Sequence, residues 1–155
     1  MKLLTDILYK VSIIEMIGRA DAEVSSLCFD SRKAESGAVF IAVRGTESDG
    51  HKFIAQAVDK GAKVVVCEGL PPQIDEEVTY VKVADSAKAL GLMAANYFDH
   101  PSSQLKLVGI TGTNGKTTVA TLLFQLFRDL GYKVGLLSTV QNHINDEIIP
   151  ATHTT

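Results

Sequence analysis

The stretch 105-LKLVGITGTNGKTTVATLLFQLFRDLGYKVGLLST-139 decides the fold class of this chain. Residues 105–111 are mostly apolar, which is typical of a strand buried on both faces of a parallel sheet. A glycine-rich segment follows at once, and residues 120–130 have the apolar spacing of a helix that ends at Gly131. Residues 133–139 predict a second strand. The stretch therefore predicts a β-α-β unit and an α/β fold.

The glycine-rich segment has the composition of a phosphate loop. Its glycines allow backbone N–H groups to approach a phosphate, and the following helix adds the positive end of its dipole. Lys116 is the candidate for contact with the β- and γ-phosphates of ATP, and the Thr117 hydroxyl is a candidate Mg²⁺ ligand. The common pattern has glycine where this chain has Ile110, so a glycine-rich turn with an incidental lysine is the alternative. The candidate nucleotide-binding residues are Gly112, Thr113, Asn114, Gly115, Lys116, Thr117 and Thr118.

Outward from this stretch, the chain alternates short strands and helices. Strands are predicted at 24–29, 38–43, 63–67 and 78–83, and helices near 3–11, 51–62 and 87–97. The composition shifts near residues 84–103. We expect a small mixed α/β domain at residues 1–84 and the start of a mononucleotide-binding domain at 85–155. Because a lone β-α-β unit would leave sheet edges exposed, the second part is expected to be a truncated piece of a longer domain.

Composition excludes several classes of protein. The 155 residues carry a net charge of −3, which argues against a protein that holds nucleic acid by bulk electrostatics. No apolar run reaches the roughly 20 residues of a membrane span, so no membrane insertion is expected. Cys28 and Cys67 lie in apolar runs without metal-ligand spacing, which predicts buried free thiols. Such thiols suit a reducing compartment, and we expect a cytoplasmic protein.

The segment ITGTNGKTT (110–118) resembles the ATP loop of the Mur ligases and of their folylpolyglutamate synthetase relatives. The folate enzymes typically have Gly-Ser after the lysine, whereas this chain has Thr117 and Thr118, which favours the Mur ligases. Upstream segments resemble the MurE type within that family. They are Asp30-Ser31-Arg32, Gly37, the strand 39–43, Gly45, Asp49-Gly50-His51, Gly61-Ala62 and the final ATHTT (151–155).

The resemblance implies an ATP- and Mg²⁺-dependent amide ligase of peptidoglycan synthesis. Such an enzyme adds a diamino acid, meso-diaminopimelate or L-lysine, to UDP-N-acetylmuramoyl-L-alanyl-D-glutamate, through phosphorylation of the substrate carboxylate. The resemblance implies that this chain alone is inactive and that the full-length enzyme is a monomer. A MurF-type ligase that adds D-alanyl-D-alanine and a nucleotide-binding regulator without catalysis are the alternatives.

The resemblance also assigns residues to the UDP-linked substrate. They are Phe29, Ser31, Thr46, Glu47, Ser48, His153, Thr154 and Thr155. Taken without the resemblance, Asp30-Ser31-Arg32 is equally typical of a turn in which the arginine pairs with a carboxylate. Asp30 and Arg32 are therefore expected to be structural. His51 is expected to be a neutral hydrogen-bonding residue, because a positive charge is disfavoured at a helix N-terminus.

Overall fold

The computed structural model describes residues 1–45 and 48–150, and the chain divides into two compact units, Met1–Leu105 and Lys106–Thr155. The strands of the first unit are β1 (Lys2–Leu3), β2 (Ile13–Ile17), β3 (Glu23–Val24), β4 (Ser26–Cys28), β5 (Ala38–Ile41), β6 (Val64–Cys67) and β7 (Thr79–Val83). Its α-helices are α1 (Leu4–Ile7), α2 (Ile54–Asp59) and α3 (Ser86–Tyr97), and its 3₁₀ turns are Ser31–Lys33, Gly50–Phe53 and Pro101–Gln104. The second unit contains α4 (Lys116–Asp129), β8 (Gly135–Leu136), β9 (Gln141–Ile144) and β10 (Glu147–Pro150).

A five-stranded sheet organises the first unit. Its strand order is β2-β7-β6-β5-β4, and the four strands from β4 to β7 are parallel. β2 pairs antiparallel with β7 at one edge, and β1 and β3 form a separate antiparallel pair. The mixed α/β class and three of the predicted helical regions are confirmed, although the first helix covers only Leu4–Ile7.

The two faces of this sheet are buried by different helices. Side chains alternate along a strand, so Val39 and Ile41 of β5 lie on one face and Phe40 on the other. The first face packs against α1 and α3, and the second against α2. Cys28 and Cys67 lie on the α2 face as buried free thiols, as the sequence predicts. Burial raises the pKa of each thiol to about 11.

Helix α3 belongs to the first compact unit. It packs against α1, and Asn96 near its end donates through Nδ2 to the carbonyl oxygens of Ile7 and Tyr9 at 2.9 and 2.7 Å. The compact units therefore divide after Leu105, whereas the sequence places a boundary after residue 84. The functional division into a UDP-binding part and an ATP-binding part stays a prediction.

The second unit combines α4 with an antiparallel sheet of order β10-β9-β8. Phe124 of α4 is buried, and its ring centroid lies 5.1 Å from that of His143 in β9. The predicted strand at 105–111 is wrong for this structure: these residues form no strand, and Leu107 is 72% exposed. No strand of the described residues pairs with them. The predicted β-α-β unit is therefore absent, and β8 is confined to Gly135–Leu136.

Candidate functional site

The four parallel strands of the first unit end at the same edge of the sheet, and polar residues follow each of them. Phe29 and Ser31 follow β4, Arg44 follows β5, Glu68 follows β6, and Ser86 begins α3 after β7. The crevice outside the carboxyl ends of parallel strands is where open α/β sheets bind ligands. The topology thus places two of the substrate residues expected in this unit, Phe29 and Ser31, at the edge suited to a ligand.

Asp30 and Arg32 shape the turn that carries Ser31. The Asp30 carboxylate accepts from the backbone N–H of Arg32 at 3.0 Å and pairs with its guanidinium at 2.8 Å. Hydrogen bonds from the Arg32 side chain, followed by that from its backbone N–H, lower the pKa of Asp30 to about 2. The structural role expected for these two residues is confirmed.

Ser31 is buried although it is polar, and its hydroxyl is bound by a neighbouring helix. Ser31 Oγ donates to Oε1 of Gln56 on α2 at 2.7 Å. Lys60, one turn further along, donates through Nζ to the Arg32 carbonyl oxygen at 2.9 Å. Gln56 of α2 and Lys60, which directly follows that helix, therefore hold the Ser31 turn against it. Phe29 is about half exposed beside the turn.

The loop after β5 is closed at its base by backbone contacts. Arg44 and Asp49 form an antiparallel bridge, and Gly45 N–H donates to the Ser48 carbonyl oxygen at 2.9 Å. Gly50 N–H donates to the Val43 carbonyl oxygen at 2.9 Å. Ser48 is exposed on this loop, whereas Thr46 and Glu47 lie outside the described residues.

Glu68 connects this loop to α3. Its Oε1 accepts from the backbone N–H and the hydroxyl of Ser86 at 3.0 and 2.8 Å, and its Oε2 lies 3.3 Å from Arg44 Nε. The Ser86 backbone and hydroxyl donors, in that order, lower the pKa of Glu68. Sequence reasoning missed Gln56, Glu68 and Ser86. Glu68 directly follows a strand of the parallel sheet, and this position could have identified it as a candidate site residue.

His51 makes hydrogen bonds through both ring nitrogens. Its Nε2 accepts from the Glu68 backbone N–H at 2.8 Å, and its Nδ1 lies 2.6 Å from Asp49 Oδ1. Asp49 also accepts from the His51 backbone N–H at 3.0 Å, and this bond lowers the pKa of Asp49. The hydrogen-bonding role expected for His51 matches this geometry.

In the second unit, the glycine-rich segment leads directly into α4. Gly112 and Gly115 have φ of +152° and +75°, a region that favours glycine, and Gly115 lies at the N-cap of α4. Lys116 is the first residue of the helix, and its Nζ donates to the carbonyl oxygens of Gly112 and Thr113 at 2.6 and 3.4 Å. The lysine ammonium is therefore bound to two carbonyl oxygens of the loop that precedes α4.

Thr117 and Thr118 are exposed in the first turn of α4. A hydroxyl oxygen suits Mg²⁺, which takes about six oxygen ligands and usually keeps several waters and phosphate oxygens among them. Thr117 could thus fill one position. Within residues 1–45 and 48–150, no cluster of three or more histidine, cysteine or acidic residues could hold a metal. His153, Thr154 and Thr155 lie outside the described residues.

No helix in the described part of the chain is both long and apolar enough to cross a membrane.

Two protein-family models match the chain. The model described as "Mur ligase family, catalytic domain" matches residues 23–98, and that of the "Mur ligase middle domain" matches residues 110–155. A curated relative, the UDP-N-acetylmuramoyl-L-alanyl-D-glutamate–2,6-diaminopimelate ligase of Cytophaga hutchinsonii, is 60% identical over 97% of this chain. The chain spans only 31% of that relative's length.

Solved structures give the same family. MurF from Acinetobacter baumannii has a TM-score of 0.64 and 32% identity over 83% of this chain and 28% of its own. MurF ligase from Thermotoga maritima, solved in complex with ADP, has a TM-score of 0.51 and 28% identity over 68% of this chain and 24% of its own. With its first part and its glycine-rich loop matched by separate models of one family, the chain belongs to the Mur ligases.

Proposed function

We propose that this chain forms the UDP-binding part and the ATP loop of a ligase that adds 2,6-diaminopimelate to UDP-N-acetylmuramoyl-L-alanyl-D-glutamate. The observation that carries the proposal is the 60% identity, over 97% of the chain, with a relative that is named for this reaction. The enzyme is ATP- and Mg²⁺-dependent and serves peptidoglycan synthesis. It acts in the cytoplasm as a monomer, on small-molecule substrates, without binding nucleic acid or inserting into a membrane.

The first unit binds the UDP moiety at the carboxyl edge of its parallel strands. Ser31 lies there in a turn that is fixed by Asp30 and by α2, and the loop that carries Ser48 is closed at its base. Phe29, about half exposed, lies two residues before Ser31 in the chain. Thr46 and Glu47 belong to the same loop in sequence, and His153, Thr154 and Thr155 are assigned to the muramoyl part.

The second unit binds the phosphates of ATP. Bound ATP would supply the phosphoryl group that activates the substrate carboxylate for attack by an amine. The Lys116 ammonium balances the negative charge of the β- and γ-phosphates, while the N-terminal N–H groups of α4 and the loop from Gly112 to Gly115 cradle them. The Thr117 hydroxyl holds Mg²⁺ from the first turn of the helix.

Binding experiments on the 155-residue chain test both halves of this assignment. In calorimetric titrations, Ser31→Ala should weaken UDP binding about 2- to 10-fold, as expected for one ordinary hydrogen bond, and leave ATP binding unchanged. Lys116→Ala should weaken ATP binding and leave UDP binding unchanged. If either variant weakened both ligands equally, the assignment of separate sites would be wrong.

Activity assays test the reaction. In the full-length enzyme, Lys116→Ala should lower turnover by orders of magnitude and leave binding of the UDP-linked substrate nearly intact. The 155-residue chain alone should release no phosphate in a substrate-dependent manner, because catalysis needs all of its groups held in place at once. Substrate-dependent release by the short chain would contradict this.

A MurF-type ligase is the second candidate, because the solved MurF structures share up to 32% identity with this chain. The full-length enzyme distinguishes the two when it is offered 2,6-diaminopimelate or D-alanyl-D-alanine with the matching UDP-linked substrate. Binding of both nucleotides without either ligation would instead support a regulator.

A further inference from the structure

The hydroxyl of Ser31 has its single proton engaged inside the protein. Ser31 Oγ donates to Gln56 Oε1 at 2.7 Å, the usual distance for a hydroxyl donating to an oxygen. Ser31 itself is 6% exposed, so little room is left for bulk water to compete for that proton. A hydroxyl has one donor hydrogen and two acceptor lone pairs. Because this hydrogen is donated to Gln56, the Ser31 hydroxyl can only accept a hydrogen bond from a ligand.

Gln56 can keep this orientation because both ends of the contact are anchored. It lies in the middle of α2, whose Ile54 and Ala57 are buried against the sheet. The Ser31 turn is fixed on its other side by Asp30, and Lys60, which directly follows α2, binds the same turn at the Arg32 carbonyl. The amide of Gln56 therefore contacts Ser31 from a helix that is held in place by its packing against the sheet.

We infer that Gln56 is a positioning residue that fixes Ser31 as a hydrogen-bond acceptor for a donor group of the uridine moiety. This rests on the proposed function, since it takes Ser31 to lie in the UDP site. The chemistry of the nucleotide then limits which group Ser31 contacts. Ionised diphosphate oxygens are acceptors only, whereas the uracil imide N–H and the ribose hydroxyls are donors. Ser31 thus contacts the nucleoside and not the diphosphate.

Five versions of the 155-residue chain test this inference: wild type, Ser31→Ala, Gln56→Met, the double variant and Gln56→Glu. Methionine has about the length of glutamine but no acceptor oxygen, and glutamate keeps one. Lys63→Met is the matched control, because it replaces an exposed lysine that precedes β6, at the opposite edge of the sheet from Ser31, and pairs with Glu77. Thermal unfolding of each variant verifies that it is folded. NMR titrations with uridine and with UDP measure binding, and uridine avoids any direct effect of charge on the diphosphate.

Ser31→Ala and Gln56→Met should each weaken uridine binding about 3- to 10-fold, and the double variant should be no weaker than Ser31→Ala. Gln56→Glu and Lys63→Met should stay within about twofold of wild type for uridine. The inference is overturned if Gln56→Met binds uridine like wild type while Ser31→Ala is weaker, or if the two losses multiply in the double variant. Losses seen with UDP but absent with uridine would place Ser31 at the diphosphate and overturn it too. If the wild-type chain bound no UDP at all, the proposed function would fail together with this inference.

Discussion

Replacing Gly50 by alanine should disturb the base of the loop that carries Ser48. A Cβ at Gly50 would lie 2.7 Å from the carbonyl oxygen and 2.8 Å from the nitrogen of Val43. Both are backbone atoms of the segment that leaves β5, so neither can rotate away as a flexible side chain could. The hydrogen bond from Gly50 N–H to the Val43 carbonyl must lengthen to relieve the overlap.

The expected cost is about 1–3 kcal/mol of unfolding free energy, the usual range for forcing an extra carbon into a packed site. Urea unfolding, followed by the amide NMR signals of β5 and β6, reports on the first unit separately from the second. With a urea dependence of about 1–2 kcal/mol/M, the midpoint should fall by about 0.5–3 M. UDP binding should weaken as well, because the disturbed segment leads directly into the loop after β5.

Gly69→Ala is the matched control. A Cβ at Gly69 would meet no atom within 4 Å, so this variant should stay within about 0.5 kcal/mol of wild type. If Gly50→Ala unfolded at the same urea concentration as Gly69→Ala, the close approach to Val43 would not constrain this loop, and the reasoning would be refuted.

Two further predictions concern titrating groups. Arg32 lowers the pKa of Asp30 to about 2, so the contact should stabilise the fold fully above about pH 4 and lose its effect as the pH falls through about 2. Because the guanidinium is exposed and screened, the contribution is small, and urea unfolding of Arg32→Met at pH 5 and pH 2.5 should show the difference from wild type shrink. Cys28 and Cys67, buried with pKa values of about 11, should react with a thiol reagent at pH 8 far more slowly in the folded chain than in urea. Rapid labelling of the folded chain would contradict their burial.

The sequence predicts best those elements whose signal is local. The runs at 38–43, 63–67 and 78–83 are continuous and apolar, and each contains a strand of the parallel sheet. Asp49 and Gly61 mark the two ends of the segment that contains α2, through a side-chain cap and a φ of +101°. These features depend on neighbours within a few residues, so single-sequence patterns suffice.

The elements that the sequence does not predict depend on distant partners. β2 carries an apolar run without clear alternation, and its role as an antiparallel edge comes only from its pairing with β7. The segment 105–111 has the composition of a buried strand, yet a strand also needs neighbours, and none of the described strands pairs with it. Composition alone does not show whether such neighbouring strands are present.

The candidate site divides in the same way. The glycine-rich loop is contiguous, and Lys116 lies at the start of a helix as its sequence predicts. The contact between Ser31 and Gln56 joins residues from two elements, and the link from Glu68 to Ser86 joins the end of β6 to the start of α3. Such contacts depend on sheet topology, which a motif does not encode.

The pairing of β2 with β7 also bears on the order in which the chain folds during synthesis. It joins Ile13 to Val83, so β2 stays unpaired while the segments that form the other four strands of the sheet are synthesised. Contacts over such long separations close slowly, because the intervening chain must first lose its freedom. Meanwhile Ile13, Ile14 and Met16, exposed to some extent even in the finished fold, are open to solvent or to a chaperone on the nascent chain. The first unit is therefore vulnerable to aggregation until β7 and α3 have emerged from the ribosome.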